Sequence, residues 1–580
     1  MKRCPQCNKA AADDILNFCR GDGARLVVDI DSFSDRSTVV LVYDAPVAKT
    51  SPIDDPAINQ RESTSPREAP KATSNNRNLL VSAKRLALAV IASIVSLTLS
   101  GTAFYSLSPG NSTAISSLAS HYLLARNNNV AISSLAVLPF INVNADQQLD
   151  YLSDGMTEML ICNLSQLPIL NVKARSSVFR YKGKDVTPYT VGKDLNVQAV
   201  LNGRIVLFGD VLTLSLELAD ASTENVIWSA QYSRKQTDLV ALQSEIARDV
   251  SNKLRVKLAG ADEHKLSKKY TTDTEAYQLY LKGRFYWNKR TLKDLERALD
   301  YFNQAIALDP NFALAYAGRA DTYVVLPFYN DQPIREAMAP AREAALKALL
   351  LDSDLAEPHA TLGQVYMQEC NFAAAEREYK RTMELDPNYA TAHQWFGVLL
   401  FYLGRHEESF DEFRQALEID PLSLIINLDY AESLYNARRY DEAIAQLKKT
   451  LELNTEFATT YQRFTKFYQA VGDYDEAARS YATYRELNGD RSGAALIRDS
   501  FEKGGWPGCL RALTAKDQVS KLSRYEAVEF FAALGEKDQA FAELDKSYEV
   551  FGPILRIEPL LDPLRNDPRF REILRRAGLS

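Results

Sequence analysis

The chain is poor in the residues from which reactive or stapled sites are built. It has five histidines and six cysteines in 580 residues. Six cysteines are too few for a disulfide scaffold, and Cys162, Cys370 and Cys509 lie too far apart in sequence to form a cluster, so they read as small buried hydrophobes. None of the metalloprotease, P-loop or nucleophile-elbow motifs occurs. His359 and His393 stand 34 positions apart, where a side chain usually packs on a neighbouring helix. Acidic pairs such as Asp441-Glu442 and Asp475-Glu476 open helices, where they complement the helix dipole. An excess of positive charge is also missing. Net charge is -7, which argues against a general nucleic-acid partner. These absences point away from an enzyme.

Long apolar runs are absent too, with one exception. Leu86 to Tyr105, LALAVIASIVSLTLSGTAFY, carries no charge, and roughly 20 such residues span a bilayer core of about 30 Å. It lies too far from Met1 for a cleaved signal peptide. Arg61, Arg67, Lys71, Arg77, Lys84 and Arg85 precede it, and Arg126 is the first Lys or Arg after it. Positive residues resist translocation. The run therefore predicts a single-pass transmembrane helix over 84–107 in an inner (cell) membrane. The N-terminal arm would be cytoplasmic and everything later extracytoplasmic, which is periplasmic in a Gram-negative cell.

The arm opens with Cys4-Pro-Gln-Cys7, followed by Cys19-Arg-Gly-Asp22. Two thiolates on one turn capture a metal with little loss of loop entropy, and zinc accepts a carboxylate as fourth ligand. The segment 1–29 resembles the small zinc-ribbon knuckles of bacterial N-termini, with Asp22 where their last cysteine stands. The resemblance implies one zinc ion on Cys4, Cys7, Cys19 and Asp22, and a metal-free reduced knuckle is the other reading. Residues 30–83 are polar and Pro/Ser-rich over much of their length and form a flexible linker; 108–130 is a second linker.

Residues 131–260 alternate strand and helix patterns. Leu135 to Phe140 and Ile169 to Ala174 read as strands, Tyr151 to Leu164 as a helix with its apolar residues on one side, and 199–208 with 211–219 as a hairpin about Gly209-Asp210. Val226 to Tyr232 adds a strand, and 238–258 a long amphipathic helix. These elements predict helices packed on a mixed sheet, an α/β class. The order LAVLPF, DYLSDGMTEML, NVKARSSVFRYKGK, VGKDLNVQAVLNGRI, LADASTENVIWSAQY resembles the TolB-like N-terminal domain, which is related to a flagellar outer-membrane protein family. That resemblance implies an extracytoplasmic sensing or assembly domain without catalysis. Asp154 reads as a helix-opening residue, and Ser176 and Ser177 as a turn after a strand.

The third block repeats. Pro387, Pro421, Thr455 and Gly489 close units that begin at Ala356, Ala390, Leu424 and Ala458, the period of a tetratricopeptide repeat (TPR). Small residues recur at Ala375, Ser409, Ala443 and Ala477, with Tyr379, Phe413, Leu447 and Tyr481 as their bulky partners. Asp309-Pro310 and Asp352-Ser353 close two earlier units, the second with an insertion. About six repeats thus fill 274–490, an all-α solenoid, and 491–580 forms a helical cap. One repeat cannot bury its own apolar face, so stacking builds the core and leaves a concave groove.

In this repeat family the second, fifth, ninth and twelfth places of each first helix face that groove. They include Glu357, Gln364 and Met367; Gln394, Val398 and Phe401; Leu428, Glu432 and Tyr435; Gln462, Lys466 and Gln469. Such a lining suits a peptide or partner helix; the other role for any one of them is packing between repeats. The sequence therefore describes a multidomain, membrane-anchored scaffold or sensor whose TPR groove binds a protein. An envelope or secretion-machinery assembly factor is a second reading. If the apolar run does not span, a cytoplasmic TPR adaptor is a third.

Overall fold

The structure is a computed structural model that describes residues 2–3, 27–28, 132–146, 149–254, 268–329 and 334–579. The chain divides into two units, 1–116 and 117–580. In the first, strand β1 (Lys2–Arg3) pairs antiparallel with β2 (Val27–Val28). Cys4, Cys7, Cys19, Asp22 and the apolar run 84–107 lie outside the described residues. Among the described residues, no helix is long and apolar enough to cross a membrane.

The second unit begins with a six-stranded mixed sheet. Its elements are β3 (Ser134–Val137), β4 (Ile141–Asn142), α1 (Asp150–Ser165), β5 (Asn171–Val172), α2 (Arg175–Val178), α3 (Pro188–Leu195), β6 (Ala199–Phe208), β7 (Val211–Asp220), β8 (Val226–Lys235) and α4 (Leu239–Lys253). The strand order is β5-β3-β6-β7-β8, with β4 also on β6. Strands β3 to β6 pair in parallel, and β6, β7 and β8 form an antiparallel meander. Alternation drives this: Leu212, Leu214, Leu216 and Leu218 are all buried, as period-2 side chains on one covered face must be. They share a core with Leu152, Met156 and Leu160 of α1 and with Leu242, Ile246 and Val250 of α4. The strand expected over 169–174 is only two residues long. Ser176 and Ser177 belong to a short helix rather than a turn. Asp154 lies inside α1, not at its start, and its carboxylate holds Lys182 at 2.7 Å.

Twelve helices then pair as hairpins: α5 (Thr274–Trp287) with α6 (Leu292–Leu308), α7 (Ala313–Val325) with α8 (Ile334–Leu351), α9 (Ala356–Gln368) with α10 (Phe372–Leu385), α11 (Ala390–Tyr402) with α12 (His406–Ile419), α13 (Leu424–Asn436) with α14 (Tyr440–Leu453), and α15 (Ala458–Val471) with α16 (Tyr474–Leu487). The first helices of the last four begin at the residues the period marks. The fixed geometry also shows at the hairpin turns, where Cys370, Gly404, Arg438 and Gly472 all have positive φ, from 59° to 82°. Only glycine adopts that conformation without steric cost. Cys370 is exposed, not buried as expected, because it occupies this turn; Cys162 is half-buried and Cys509 buried. The cap follows: α17 (Arg491–Leu513), broken at Gly505 and Pro507, then α18 (Arg524–Ala533), α19 (Lys537–Phe551) and α20 (Pro568–Arg576).

The sheet domain and the repeats do not have separate cores. The apolar core beneath the sheet runs on through Tyr277, Tyr280 and Leu281 of α5 to Phe302 and Phe312. Gly155 permits the approach of α1 to α5, since a Cβ there would meet Leu281 at 3.0 Å.

Within a repeat, a Cβ on Gly363 would come within 2.5 Å of the fully buried Tyr379 ring. Gly363→Ala should therefore destabilise the array by about 1–3 kcal/mol. Cys370→Gly should raise the melting temperature slightly by relieving a left-handed residue. Thermal melts of the two variants check both signs.

Candidate functional site

The inward places of the first helices are buried or half-buried, and much of what covers them belongs to this chain. Two buried charge clusters mark where.

The first lies where α1 crosses the opening repeats. Glu158 of α1 is 4% exposed. Arg284 of α5 donates to its Oε1 from Nε at 2.8 Å and from a terminal nitrogen at 2.5 Å. Asn288 donates to its Oε2 at 2.7 Å, and Arg175 lies 3.0 Å from the same oxygen. Burial opposes ionisation of Glu158, but Arg284 and Arg175 outweigh it and hold the carboxyl below its ordinary range. Asp321 lies 3.4 Å from Arg284 and accepts from Thr361 at 2.8 Å. There burial wins and pushes the carboxyl up to about 6. Glu357, half-buried beside this cluster, is raised by burial as well.

The second cluster lies on α13 and α15. Lys466 stands 3.0 Å from Glu432, 2.5 Å from Glu558 of the cap and 3.8 Å from Glu529 of α18. Arg463 holds the other oxygen of Glu432 at 2.9 Å. Tyr435 donates to Glu558 at 3.0 Å, and its ring stacks on Phe467 at 4.4 Å. Three carboxylates face two cations. At Glu529 burial is the largest influence and Lys466, 3.8 Å away, does not offset it, so its carboxyl is pushed up to about 8. On Glu432 the two cations overcome burial and lower it.

The remaining groove places are less polar. Gln364 accepts from Tyr379 at 3.1 Å inside its own repeat, and Met367 packs beside it. Gln394 donates to Asp429 of the next repeat at 2.7 Å, where burial raises the Asp429 carboxyl to about 6. Val398, Phe401 and Leu428 are wholly or partly buried, and Gln462 is half-buried. Gln469 is 7% exposed, and neither its amide oxygen nor its nitrogen has a hydrogen-bond partner among the described residues.

Sequence reasoning missed a third feature. The residues that end the second helices also bind the preceding domain or the segment that follows it. Asp309 accepts from Thr271 at 2.6 Å, Asp352 from Lys268 at 2.5 Å and Asp386 from Ser165 at 2.7 Å. Asp420 accepts from Ser177 at 2.6 Å and also from Ser176. Arg180 donates to the carbonyls of Leu422 and Leu453 at 3.2 and 2.8 Å. The Ala174 amide donates to the Ile419 carbonyl at 3.0 Å. The D-P pattern signalled the turns, but nothing in it showed that their carboxylates have outside partners. The histidines serve local packing: His359 bonds Glu378 and His393 bonds Glu412, each at 2.7 Å within its own repeat. Among the described residues no group of His, Cys, Asp and Glu is arranged to hold a metal.

Comparison with known proteins places both blocks. A family model described as HilA/YgeH-like transcriptional regulator, second domain, matches residues 131–249, the segment expected to be TolB-like. Tetratricopeptide-repeat models match 279–312, 361–423 and 400–465. The array is a TPR solenoid. The chain is 31% identical over 239 residues to "Putative adenylate cyclase 3" of Rhizobium meliloti (strain 1021), covering 39% of each chain. It is 23% identical over 283 residues to the transcriptional regulator HilA of Salmonella typhimurium, covering 47% of this chain and 48% of that one. The chain thus spans less than half the length of these relatives. Among solved structures, a thermophilic TPR protein of Thermus thermophilus matches 33% of this chain and 98% of its own at 20% identity and TM-score 0.29. A Pseudomonas aeruginosa pilF structure matches 40% and 97% at 18% identity and TM-score 0.31.

Two expectations follow from the buried charges. Removing one partner of a buried ion pair strands the other, so Arg284→Ala should cost about 3–5 kcal/mol by denaturant titration. Asp321, Asp429 and Glu529 have folded pKa values above their unfolded ones, so the native state binds more protons across that interval. Stability should therefore fall as pH rises from about 5 to about 8. Glu529→Gln should flatten the upper part of that decline in melts taken across the range.

Proposed function

We propose that this TPR chain is a membrane-anchored protein-interaction scaffold or sensor, without enzymatic activity, whose repeat groove receives a peptide or protein partner. The observation that carries the reading is the array itself. Stacked helical hairpins gain their stability from neighbour-to-neighbour burial and leave an extended surface for binding. The relatives support it too. A protein named for a cyclase and one named for transcriptional regulation each share a part of this chain, as expected of an interaction unit used with different outputs. Neither activity is carried over to this chain, and no nucleic-acid partner is proposed.

The finer parts of the reading rest on the sequence. The apolar run anchors the chain in the inner membrane with the arm in the cytoplasm and the sheet domain, of TolB-like type, outside with the repeats. Cys4, Cys7, Cys19 and Asp22 supply the four donors that one zinc ion requires. The groove places from Glu357 to Gln469 receive the partner, with the half-buried Gln462 among its points of entry.

An envelope assembly factor would share this architecture but would not need the N-terminal knuckle. If Cys4→Ser/Cys7→Ser leaves every phenotype of the gene intact, assembly is favoured over signalling. Reporters fused after residues 78 and 270 should register inside and outside respectively, and two inside signals would make the protein a cytoplasmic adaptor. A photo-crosslinking residue at position 462 should trap a defined partner in cells. The same residue at position 245, half-buried on α4 of the sheet domain, should not. Equal trapping at both would contradict groove binding.

A further inference from the structure

The cap does more than cover the last repeat. It has an apolar core of its own, built from Val528, Phe531, Phe541, Leu544, Leu561 and Phe570. Helix α18 joins it to the array, for Phe530 on the same helix packs with Tyr481 and Trp506 of the array-side core. From this cap a short segment, Ile557-Glu558-Pro559, reaches into the repeat groove. Its neighbours Leu555, Leu561 and Leu564 all turn back into the cap. What the segment gives the groove is polar. The Glu558 carboxylate, 1% exposed, meets Lys466 at 2.5 Å and Tyr435 at 3.0 Å. Arg438, at the turn of the same repeat, donates to the Ile557 carbonyl at 3.2 Å and holds Asp562 at 2.8 Å.

Lys466 and Tyr435 occupy the ninth and twelfth places of their helices, which face the groove in this repeat family. We propose that Ile557-Glu558-Pro559 is an internal ligand of the groove, a latch, and that the partner which displaces it is an extended peptide presenting an acidic side chain to Lys466. This rests on the reading of the groove as the partner site and names the partner's chemistry.

Three observations support it. The cap and the array have distinct apolar cores, and the side-chain bonds that Glu558 and Asp562 make to the array are polar. The site holds more carboxyl groups than cations, since Glu432, Glu529 and Glu558 share Lys466 and Arg463, and burying acids beyond the available cations weakens the closed form. One turn beyond Lys466 on α15, Gln469 keeps both amide atoms buried and unbonded among the described residues. A side-chain amide can pair with the donor and acceptor of a peptide backbone, so a longer bound segment would satisfy a group that the latch leaves unsatisfied. An internal competitor lowers apparent affinity by the fraction of chains that are open.

The test uses the full chain and a fluorescent peptide copying residues 553–564, read by anisotropy. Glu558→Ala should bind it at least about tenfold more tightly than the unaltered chain. Replacing the peptide's own glutamate by alanine, or adding Lys466→Ala to the protein, should abolish that gain. Equal affinity for the unaltered and Glu558→Ala chains, or indifference to the peptide's glutamate, overturns the latch. It would leave crosslinking from position 462, and so the broader reading, standing. Hydrogen exchange of Glu558→Gln guards against simple misfolding. Faster exchange confined to 524–579 fits a latch, whereas lost protection throughout 274–490 would make Glu558 a structural keystone and overturn the proposal.

Discussion

The structure depends on the burial of Glu158 between Arg284 and Arg175. A carboxylate moved out of water costs several kcal/mol unless its partners are fixed in place. Here they are fixed by three different elements: α1 carries Glu158, α5 carries Arg284 and Asn288 follows directly on it, and α2 carries Arg175. The cluster can be satisfied only when the sheet domain sits on the first repeat, so it specifies that arrangement against others. The surrounding apolar core, continuous from Leu152 to Phe302, supplies the favourable free energy, and the charges supply the register.

The ladder of turn residues extends the same logic along the array. Asp309, Asp352, Asp386 and Asp420 each end a second helix, and each accepts a hydrogen bond from the sheet domain or the segment that follows it. The repeats set the spacing of these acceptors, so the donors at Thr271, Lys268, Ser165 and Ser177 must match a solenoid pitch. A repeat array is ordinarily thought of as holding something else. In this chain it first holds its own sheet domain along the ends of its second helices and its own cap beyond the last repeat, and a partner must compete with what is already there.

Much of the fold was legible in the sequence, because periodicity is a property of the residues themselves. Ala356, Ala390, Leu424 and Ala458 begin helices as the period requires, and the Gly209-Asp210 hairpin lies where alternation on both sides puts it. The site was less legible. The groove places could be counted off, but Tyr435 and Lys466 gave no sign that Glu558, 123 residues beyond Tyr435, would cover them. Asp154 looked like a helix opener because its partner Lys182 lies on a different element. Cys370 looked buried because cysteine usually is, yet a hairpin turn holds it in the open. In each case the missing information was a long-range contact or a turn geometry at a residue whose local sequence is already accounted for.

Hydrogen exchange over residues 171–181 is the most direct test of the claim that the repeats hold the sheet domain. It should be measured in the unaltered chain and in Asp386→Ala/Asp420→Ala. If the turn carboxylates hold this segment, its exchange will accelerate in the variant while the central strands 199–220 keep their protection. If 171–181 exchanges at the same rate in both, the ladder is incidental and the two domains are held by the apolar core alone.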